Sequence, residues 1–113
     1  MNYKIVATET FQKEAKILSK KYHSLKDDLS SFKDELLKNP TMGVDLGNNS
    51  RKIRIAITSK NKGKSGGARI ITYQLIISIE ESKIYLLSIY DKGEQDSISK
   101  KEIEKLKKEN NLI

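Results

Sequence analysis

Residues 51–79 read RKIRIAITSKNKGKSGGARIITYQLIISI, and this stretch decides the fold. Isoleucine occupies every second position from 53 to 57 and alternates with Lys52 and Arg54, which is typical of a β-strand with one apolar and one basic face. A loop rich in glycine and lysine follows, and the apolar run from 68 to 79 predicts a longer second strand. Two strands joined by such a loop are expected to pair as neighbours in an antiparallel sheet.

The same pattern continues on the carboxyl side of this stretch. Residues 81–82 are predicted to form the tip of a hairpin, and residues 84–90 then return as a strand. Three side chains of that strand are expected on one face: Tyr85, Leu87 and Ile89. Ser99 and Glu102 form a capping box that begins a short polar helix. Lys107 lies on this helix, and its replacement by alanine is expected to have no effect.

The amino-terminal part of the chain reads differently. Residues 3–8 predict a first strand, and two amphipathic helices follow, with Thr10 and Ser24 as their expected N-caps. Pro40 ends the second helix because the residue before proline is pushed out of helical geometry. Residues 43–50 are predicted to be a loop. Helices joined by so short a connection pack side by side as an antiparallel hairpin.

These elements predict the order β-α-α-β-β-β-α. This is an α+β fold in which an antiparallel sheet is packed by the amino-terminal helical hairpin and followed by a short carboxyl-terminal helix. With 113 residues, the chain is long enough for one compact domain and too short for two, so residues 1–113 are expected to form a single domain.

The positive charge of the chain is concentrated in one segment. Residues 46–79 contain seven of the 22 basic side chains and no acidic one, which leaves 15 basic side chains elsewhere to balance the 15 acidic ones. The net charge of +7 therefore resides in this segment, which contains Arg51, Lys52, Arg54, Lys60, Lys62, Lys64 and Arg69. An acid-free basic block is typical of a surface that binds a polyanion such as RNA. An acidic peptide from a protein partner is a second expected ligand for it.

Several function classes fit the composition poorly. The chain has no cysteine and a single histidine, His23, which is expected in the solvated turn between the helices, so neither a metal site nor a cofactor is predicted. The segment G-K-S at 63–65 is not a nucleotide-binding loop, because Thr58 stands where that motif needs its first glycine and a strand follows instead of a helix. No apolar run is long enough for a signal peptide or a membrane span, which predicts a cytoplasmic protein without a membrane partner.

Arg69 presents a problem of strand parity. In the predicted strand it shares a face with Ile71, Tyr73 and Leu75, which look like core residues. Either Arg69 lies at the mouth of the strand beyond the core, or a β-bulge near Thr72 moves the later residues to the other face. The bulge is the favoured alternative.

The motifs together resemble a known family. The helical hairpin, the RKIRI strand, the GKSGGARIITY segment and the IYDK segment are similar to those of RelE/HigB-type toxins of bacterial toxin–antitoxin modules. The resemblance covers nearly the whole chain. It implies an α+β fold, inhibition by a cognate antitoxin, and in many members a metal-independent cleavage of mRNA in the ribosomal A site.

The resemblance also implies where an RNA-cleaving site would lie. The family's basic strand pair corresponds to Lys52 and Arg54, its arginine at the start of the next strand to Arg69, and the basic residue after the fourth strand to Lys92. A tyrosine used by some members for proton transfer falls near Ile98, which has no such chemistry. The loop rich in glycine and lysine that precedes Arg69 is longer than in the simplest members of the family.

The chemistry of RNA cleavage assigns tasks to these side chains. Arg69, Arg54 and Lys92 are candidates to stabilise the charged phosphorane, because cations placed at developing negative charge lower the barrier. Lys64 among the loop lysines, or Tyr90, is a candidate to move protons, with Asp91 and Glu94 as alternatives. Arg51, Lys52, Lys60 and Lys62 are expected to bind RNA, both mRNA and ribosomal RNA.

Simpler roles and other functions stay open at this point. Lys52 and Arg54 could merely solvate the outer face of the sheet, the loop lysines could be mobile and solvated, and Tyr90 could be a packing residue. Besides an endoribonuclease toxin, the sequence is compatible with a ParE-like inhibitor of DNA gyrase and with a non-catalytic RNA-binding module.

Overall fold

The computed structural model describes residues 1–113 and has five strands and three helices. They are, in chain order, β1 (Asn2–Ala7), α1 (Glu9–Lys21), α2 (Leu25–Lys38), β2 (Val44–Gly47), β3 (Ser50–Ile55), β4 (Ala68–Ile76), β5 (Glu81–Asp91) and α3 (Lys100–Glu109). A single 3₁₀ turn, Thr58–Lys60, follows β3. The strands form one sheet in the order β1-β5-β4-β3-β2. The α+β fold with its predicted order of elements is confirmed, with one strand added.

The added strand β2 lies within the predicted loop. Val44 and Asp45 pair with Lys52 and Arg51 of β3 in an antiparallel arrangement. The chain reverses at Asn48 and Asn49, whose φ angles are 51° and 61°. Two consecutive left-handed residues are characteristic of the tight hairpin turn that matches the twist of the strands, and asparagine adopts that conformation readily. The loop prediction for residues 43–50 was therefore wrong.

Two other details of the sheet differ from the prediction. The sheet is mixed, because β1 pairs with β5 in parallel, while all other pairs are antiparallel. The alternation of a strand carries no information about the direction of its neighbour, which explains the error. The turn between β4 and β5 spans residues 77–80, and Glu81 and Ser82 already belong to β5.

Both faces of the sheet are buried over part of their area. On one face, α1 and α2 pack against the larger core, which includes Phe11, Leu25, Phe32, Leu36, Ile53, Ile70 and Leu86. On the other face a smaller core contains Ile71, Tyr73, Leu87, Tyr90 and Ile103, the last from α3. A central strand covered on both faces is apolar at nearly every position, which accounts for the run in β4.

The favoured explanation for the parity of Arg69, a bulge that moves the later β4 residues to the other face, was wrong. Ile71 pairs with Ser88 but the next residue of β4 pairs with Leu86, so Leu87 is the extra residue. Leu86 faces the helices while Leu87 faces α3, and the predicted common face for Tyr85, Leu87 and Ile89 was wrong. The bulge lies in β5 and not in β4, so Arg69 keeps the parity of Ile71 and Tyr73. It lies at the end of the strand, on the α3 face, beyond the small core.

The helix ends follow simple rules with two corrections. Thr8, not Thr10, caps α1, and its hydroxyl accepts a hydrogen bond from the Phe11 N–H at 3.1 Å. Ser24 makes no capping bond to the backbone of α2, and its hydroxyl instead bonds to the Asp28 carboxylate and to Ser59. The predicted cap of α3 is confirmed, because the Ser99 hydroxyl accepts from the Glu102 N–H.

Lys107 anchors α3 to the sheet. Only 1% of this residue is exposed, and its ammonium donates to the Asn48 carbonyl at 3.1 Å and to the Glu104 carboxylate at 2.9 Å. The same ammonium lies 4.5 Å from the centroid of the Tyr73 ring, a cation–π contact. The expectation that Lys107 is an uninvolved residue of a polar helix was wrong.

Candidate functional site

Cationic side chains of neighbouring strands meet on the α3 face of the sheet. Arg54 of β3 pairs with Arg69 of β4, and Arg69 pairs with Tyr90 of β5, so the three form one row across the sheet. Directly opposite residues in such a row have Cβ atoms about 5 Å apart. Lys52 lies two residues before Arg54 and on the same face. We call the set formed by Lys52, Arg54, Arg69 and Lys92 the basic face.

A carboxylate marks the point where these cations converge. Lys92 donates to the Asp96 carboxylate, and the hydrogen bond and charge of Lys92 lower the pKa of Asp96, with further lowering by the charges of Lys52 and Arg69. Three cations thus act on one exposed anion, which shows that the potential here favours negative charge. Asp96 was not predicted as a site residue, and its spacing of four residues from Lys92 was the only signal in the sequence.

Arg69 is buried and holds the preceding loop. Arg69 is only 5% exposed. Its guanidinium donates hydrogen bonds to the carbonyls of Lys64 at 2.9 Å, Ser65 at 3.1 Å and Ala68 at 3.3 Å. A guanidinium has five N–H donors, so these three contacts leave two for a ligand. Arg69 therefore fixes the loop and keeps two N–H donors without a partner within the chain.

The glycine-rich loop is packed rather than free. A Cβ atom on Gly67 would overlap the Ile55 carbonyl oxygen, so only glycine allows this close approach to the end of β3. The Gly67 carbonyl accepts a hydrogen bond from the Lys92 N–H at 3.0 Å. The loop backbone thereby connects the end of β3 to the segment that carries Lys92. The side chains of Lys62 and Lys64 are exposed, and neither has a carboxylate within ion-pair distance.

Lys60 differs from the other loop lysines. Its ammonium lies 2.5 Å from the Asp91 carboxylate, and 12% of its side chain is exposed. Asp91 also accepts from the Tyr22 hydroxyl at 2.5 Å and from the Gly93 N–H at 2.8 Å. Burial alone would raise the pKa of Asp91, but these hydrogen bonds and the Lys60 charge outweigh it and lower the pKa to about 2. Lys60 is thus an internal ion-pair partner on the α1 face, unlike Lys62 and Lys64, and its assignment to RNA binding stays a prediction.

Arg51 also lies apart from the basic face. Successive residues of a strand point to opposite faces, so Arg51 is directed away from Lys52. Its guanidinium donates to the Thr41 carbonyl at 2.9 Å and lies 3.9 Å from the Asp45 carboxylate. Of the seven cations in the acid-free segment, two are therefore paired with acids from outside it. The remaining five are Lys52, Arg54, Lys62, Lys64 and Arg69.

Tyr90 places a hydroxyl group beside Arg69. The residue is 5% exposed, and its hydroxyl has no hydrogen-bond partner within the chain. Burial raises the pKa of Tyr90 above its usual value, the Arg69 charge opposes the rise and the Asp96 charge adds to it. The phenol is therefore protonated at neutral pH, and its hydroxyl is a buried donor without a partner within the chain.

The other candidates for proton transfer lie elsewhere. Asp91 is held in its ion pair on the α1 face, and Glu94 pairs with Lys21 of α1. His23 is exposed in the connection between the helices. No group of three or more histidine or acidic side chains is arranged to hold a metal ion. None of the three helices is long and apolar enough to cross a membrane.

Comparisons with known proteins identify the family of this chain and a solved structure of similar fold. A family described as the RelE toxin of the RelE/RelB toxin–antitoxin system matches residues 3–112. Among solved structures, the E. coli toxin RelE in the free state, with two arginines replaced by alanine, is similar with a TM-score of 0.55 and 16% sequence identity. The match covers 85% of this chain and 90% of that chain. At this identity the structural likeness concerns the fold.

Proposed function

This chain belongs to the RelE toxin family, and from that membership we propose that it is a ribosome-dependent mRNA endonuclease that inhibits translation without a metal ion or cofactor. Its substrate is mRNA in the ribosomal A site, its place of action is the cytoplasm, and its inhibitor is a cognate antitoxin. The observation that carries this proposal is the row of Arg54, Arg69 and Tyr90 on the basic face.

The row suits the chemistry of RNA cleavage. The 2′-hydroxyl oxygen attacks the adjacent phosphorus, the bond to the 5′-oxygen breaks, and a 2′,3′-cyclic phosphate and a free 5′-hydroxyl result. Negative charge on the phosphate oxygens rises in the transition state and requires fixed cations. Arg54 and the two remaining donors of Arg69 are suited to bind these oxygens, because a guanidinium can contact two of them at once. Lys92, whose ammonium donates to the Asp96 carboxylate, adds a third cation.

Tyr90 and Lys64 are assigned to proton transfer in the cleavage reaction. The raised pKa of Tyr90 keeps its phenol protonated, so it is suited to donate a hydrogen bond or a proton to an oxygen of the scissile phosphate, and unsuited to act as the base. Lys64 is exposed on the loop whose carbonyl Arg69 binds. We assign it to proton transfer at the 2′- or 5′-oxygen together with Tyr90.

The exposed loop lysines are suited to a different task. Lys62 and Lys64 project from a loop whose backbone is fixed by Gly67 and Arg69. Exposed cations on a fixed backbone bind the phosphates of RNA without sequence preference. We assign Lys62, together with Lys52, to contacts with mRNA and ribosomal RNA.

A cleavage assay on purified ribosomes programmed with a defined mRNA tests the proposal. The wild type should cut the mRNA at discrete positions within codons, and Arg54→Ala should cut about 10²-fold more slowly, the usual effect of removing one donor to a developing oxyanion. Arg54 is exposed, so this variant should keep its melting temperature. Arg69 is less informative, because its loss also releases the loop.

Lys101→Ala provides the matched control. Lys101 is an exposed cation of α3 without an ion pair, so the variant should cut the mRNA as fast as the wild type does. Intact mRNA together with inhibited DNA gyrase would replace the proposal by the ParE-like alternative. Intact mRNA with RNA binding alone would replace it by the non-catalytic module.

A further inference from the structure

Asp96 lies in the connection between β5 and α3, beside the basic face. Its carboxylate accepts a hydrogen bond from the Lys92 ammonium, which also donates to the Asp96 carbonyl at 3.3 Å. The hydrogen bond and charge of Lys92, followed by the charges of Lys52 and Arg69, lower the pKa of Asp96. Burial raises the pKa of Tyr90, and the Asp96 charge adds to that rise. The carboxylate is therefore within electrostatic reach of the side chains assigned to the RNA.

The cation of this ion pair is fixed in place and the anion is not. The backbone N–H of Lys92 donates to the Gly67 carbonyl at 3.0 Å, and only 29% of the Lys92 side chain is exposed. The Asp96 side chain is 91% exposed, and its carboxylate accepts no hydrogen bond except the one from Lys92. Residues 95–99 around it belong to neither a helix nor a strand. Rotation of this side chain into solvent therefore breaks one contact and leaves Lys92 where it is.

A carboxylate and a phosphate compete for the same donors. The oxygens of both accept charge-assisted hydrogen bonds from ammonium and guanidinium groups. A phosphate that approaches Lys92 while the ion pair is formed meets the negative charge of Asp96. We propose that Asp96 is an autoinhibitory anion, whose carboxylate occupies a phosphate-binding position of the basic face in the free protein and leaves it when RNA binds. The inference rests on the proposed function for RNA as the ligand.

Two other roles fit Asp96 less well. A base for the 2′-hydroxyl works best with a pKa near the operating pH, and the neighbouring cations lower the pKa of Asp96 and make it a weaker base. A structural ion pair would add stability, but exposed pairs such as this one, between residues four apart, contribute little. An exposed anion among cations therefore acts chiefly on what the basic face binds.

Removal of the charge tests the inference in a binding assay that needs no cleavage. Asp96→Asn keeps the size of an exposed side chain and should keep the wild-type melting temperature. The probe is a short single-stranded RNA whose 2′-oxygens are methylated, so that it cannot be cut, and its binding is followed by fluorescence anisotropy. Asp96→Asn should bind it about fivefold more tightly than the wild type, the upper range for one exposed ion pair. In a Lys92→Ala background the same substitution should gain less than about twofold, because the cation that Asp96 blocks is absent.

Glu9→Gln provides the matched control. Glu9 pairs with Lys13 at 3.3 Å across the same spacing of four residues, and both side chains are exposed on α1. This variant changes the net charge as much as Asp96→Asn does. It should leave the RNA affinity within about twofold of the wild type, because salt screens the interaction between distant exposed charges. A gain as large as that of Asp96→Asn would mean that net charge alone is responsible and would overturn the inference.

Cleavage kinetics on programmed ribosomes separate this inference from the proposed function. Asp96→Asn should lower the KM about fivefold and leave kcat unchanged, because an anion displaced on binding affects the bound substrate and the transition state equally. Unchanged or weaker RNA binding, or an equal gain in the two backgrounds, overturns the inference. A loss of kcat would identify Asp96 as a proton acceptor and overturn it as well. A wild type that cuts no RNA, together with tighter RNA binding by Asp96→Asn, would refute the endonuclease and leave the autoinhibitory anion standing.

Discussion

Replacement of Asp91 by asparagine tests the idea that one buried ion pair holds the basic loop in place. Asp91 lies at the end of β5, is 3% exposed, and accepts hydrogen bonds from Lys60 of the 3₁₀ turn and from Tyr22 at the end of α1. An asparagine side chain at this position would keep one acceptor oxygen but would lose the negative charge that balances Lys60. The variant Asp91→Asn should therefore be less stable than the wild type at neutral pH.

The size of the effect follows from the pKa of Asp91. Its lowering from the ordinary value of 3.8 to about 2 means that folding favours the charged carboxylate by about 2 kcal/mol, since one pKa unit corresponds to about 1.4 kcal/mol. In a chain of this size a loss of 1 kcal/mol lowers the melting temperature by about 4 °C, so a decrease of about 8 °C is expected. Lys60→Met should also lower the stability, because it leaves the buried carboxylate with only the more exposed Lys21 ammonium, 3.8 Å away.

The pH dependence gives an independent measurement. Because the pKa of Asp91 is lower in the folded state than in the unfolded one, its stabilisation is complete above the unfolded value of 3.8 and disappears as the pH falls through about 2. Urea unfolding at pH 7 and at intervals from pH 5 to pH 2 should show the wild type losing more stability over this range than Asp91→Asn. The two curves should approach each other at the acidic end.

An exposed aspartate without contacts provides the control. Asp34→Asn removes one negative charge from the surface of α2 and should leave both the stability and its pH dependence unchanged. If Asp91→Asn stays within about 0.5 kcal/mol of the wild type at pH 7, a surface-like value, the buried pair does not stabilise the protein. The same conclusion follows if Asp91→Asn retains the wild-type slope between pH 4 and pH 2.

Three further changes test the loop and α3. Gly67→Ala places a Cβ atom against a β3 carbonyl and should lower the unfolding free energy by about 2 kcal/mol or more in urea titrations, whereas Gly63→Asn, in open space at φ 60°, should be neutral. Lys107→Ala should cost about 2 kcal/mol, and Lys107→Met less, because methionine keeps the packed stem. Reversing Lys62 and Lys64 to glutamate should flatten the salt dependence of ribosome binding by about 0.7 log units per lost phosphate contact; an unchanged slope would exclude the loop from the RNA surface.

The two sides of the sheet are different. The α3 side presents the basic face, and on the other side α1 and α2 pack against the larger core. The buried pair of Lys60 and Asp91 connects the two, since it ties the loop that precedes Arg69 to α1 through Tyr22. Substitutions in this pair should therefore reduce cleavage even though neither residue lies on the basic face.

Local patterns in the sequence determined the elements and the family. The alternation of isoleucine with Lys52 and Arg54 requires a strand with one basic face, and that face is present as predicted. Helical spacing and Pro40 likewise placed α1 and α2 within a few residues. These inferences succeed because they depend on contacts between residues close together along the chain. The resemblance to RelE-type toxins rested on such local motifs, and the family match confirms it.

The tertiary structure alone decided which cations are available. Lys60 and Lys62 look alike in the sequence, yet they differ in the structure. Lys60 forms an ion pair with Asp91, which lies 31 residues further along the chain, and Lys62 is exposed to solvent. The extra residue Leu87 sets the direction of every later side chain in β5, including Tyr90. The local alternation of apolar residues does not predict this bulge. Pairing and register arise from contacts between distant segments, and a sequence pattern averaged over a few neighbours does not contain them.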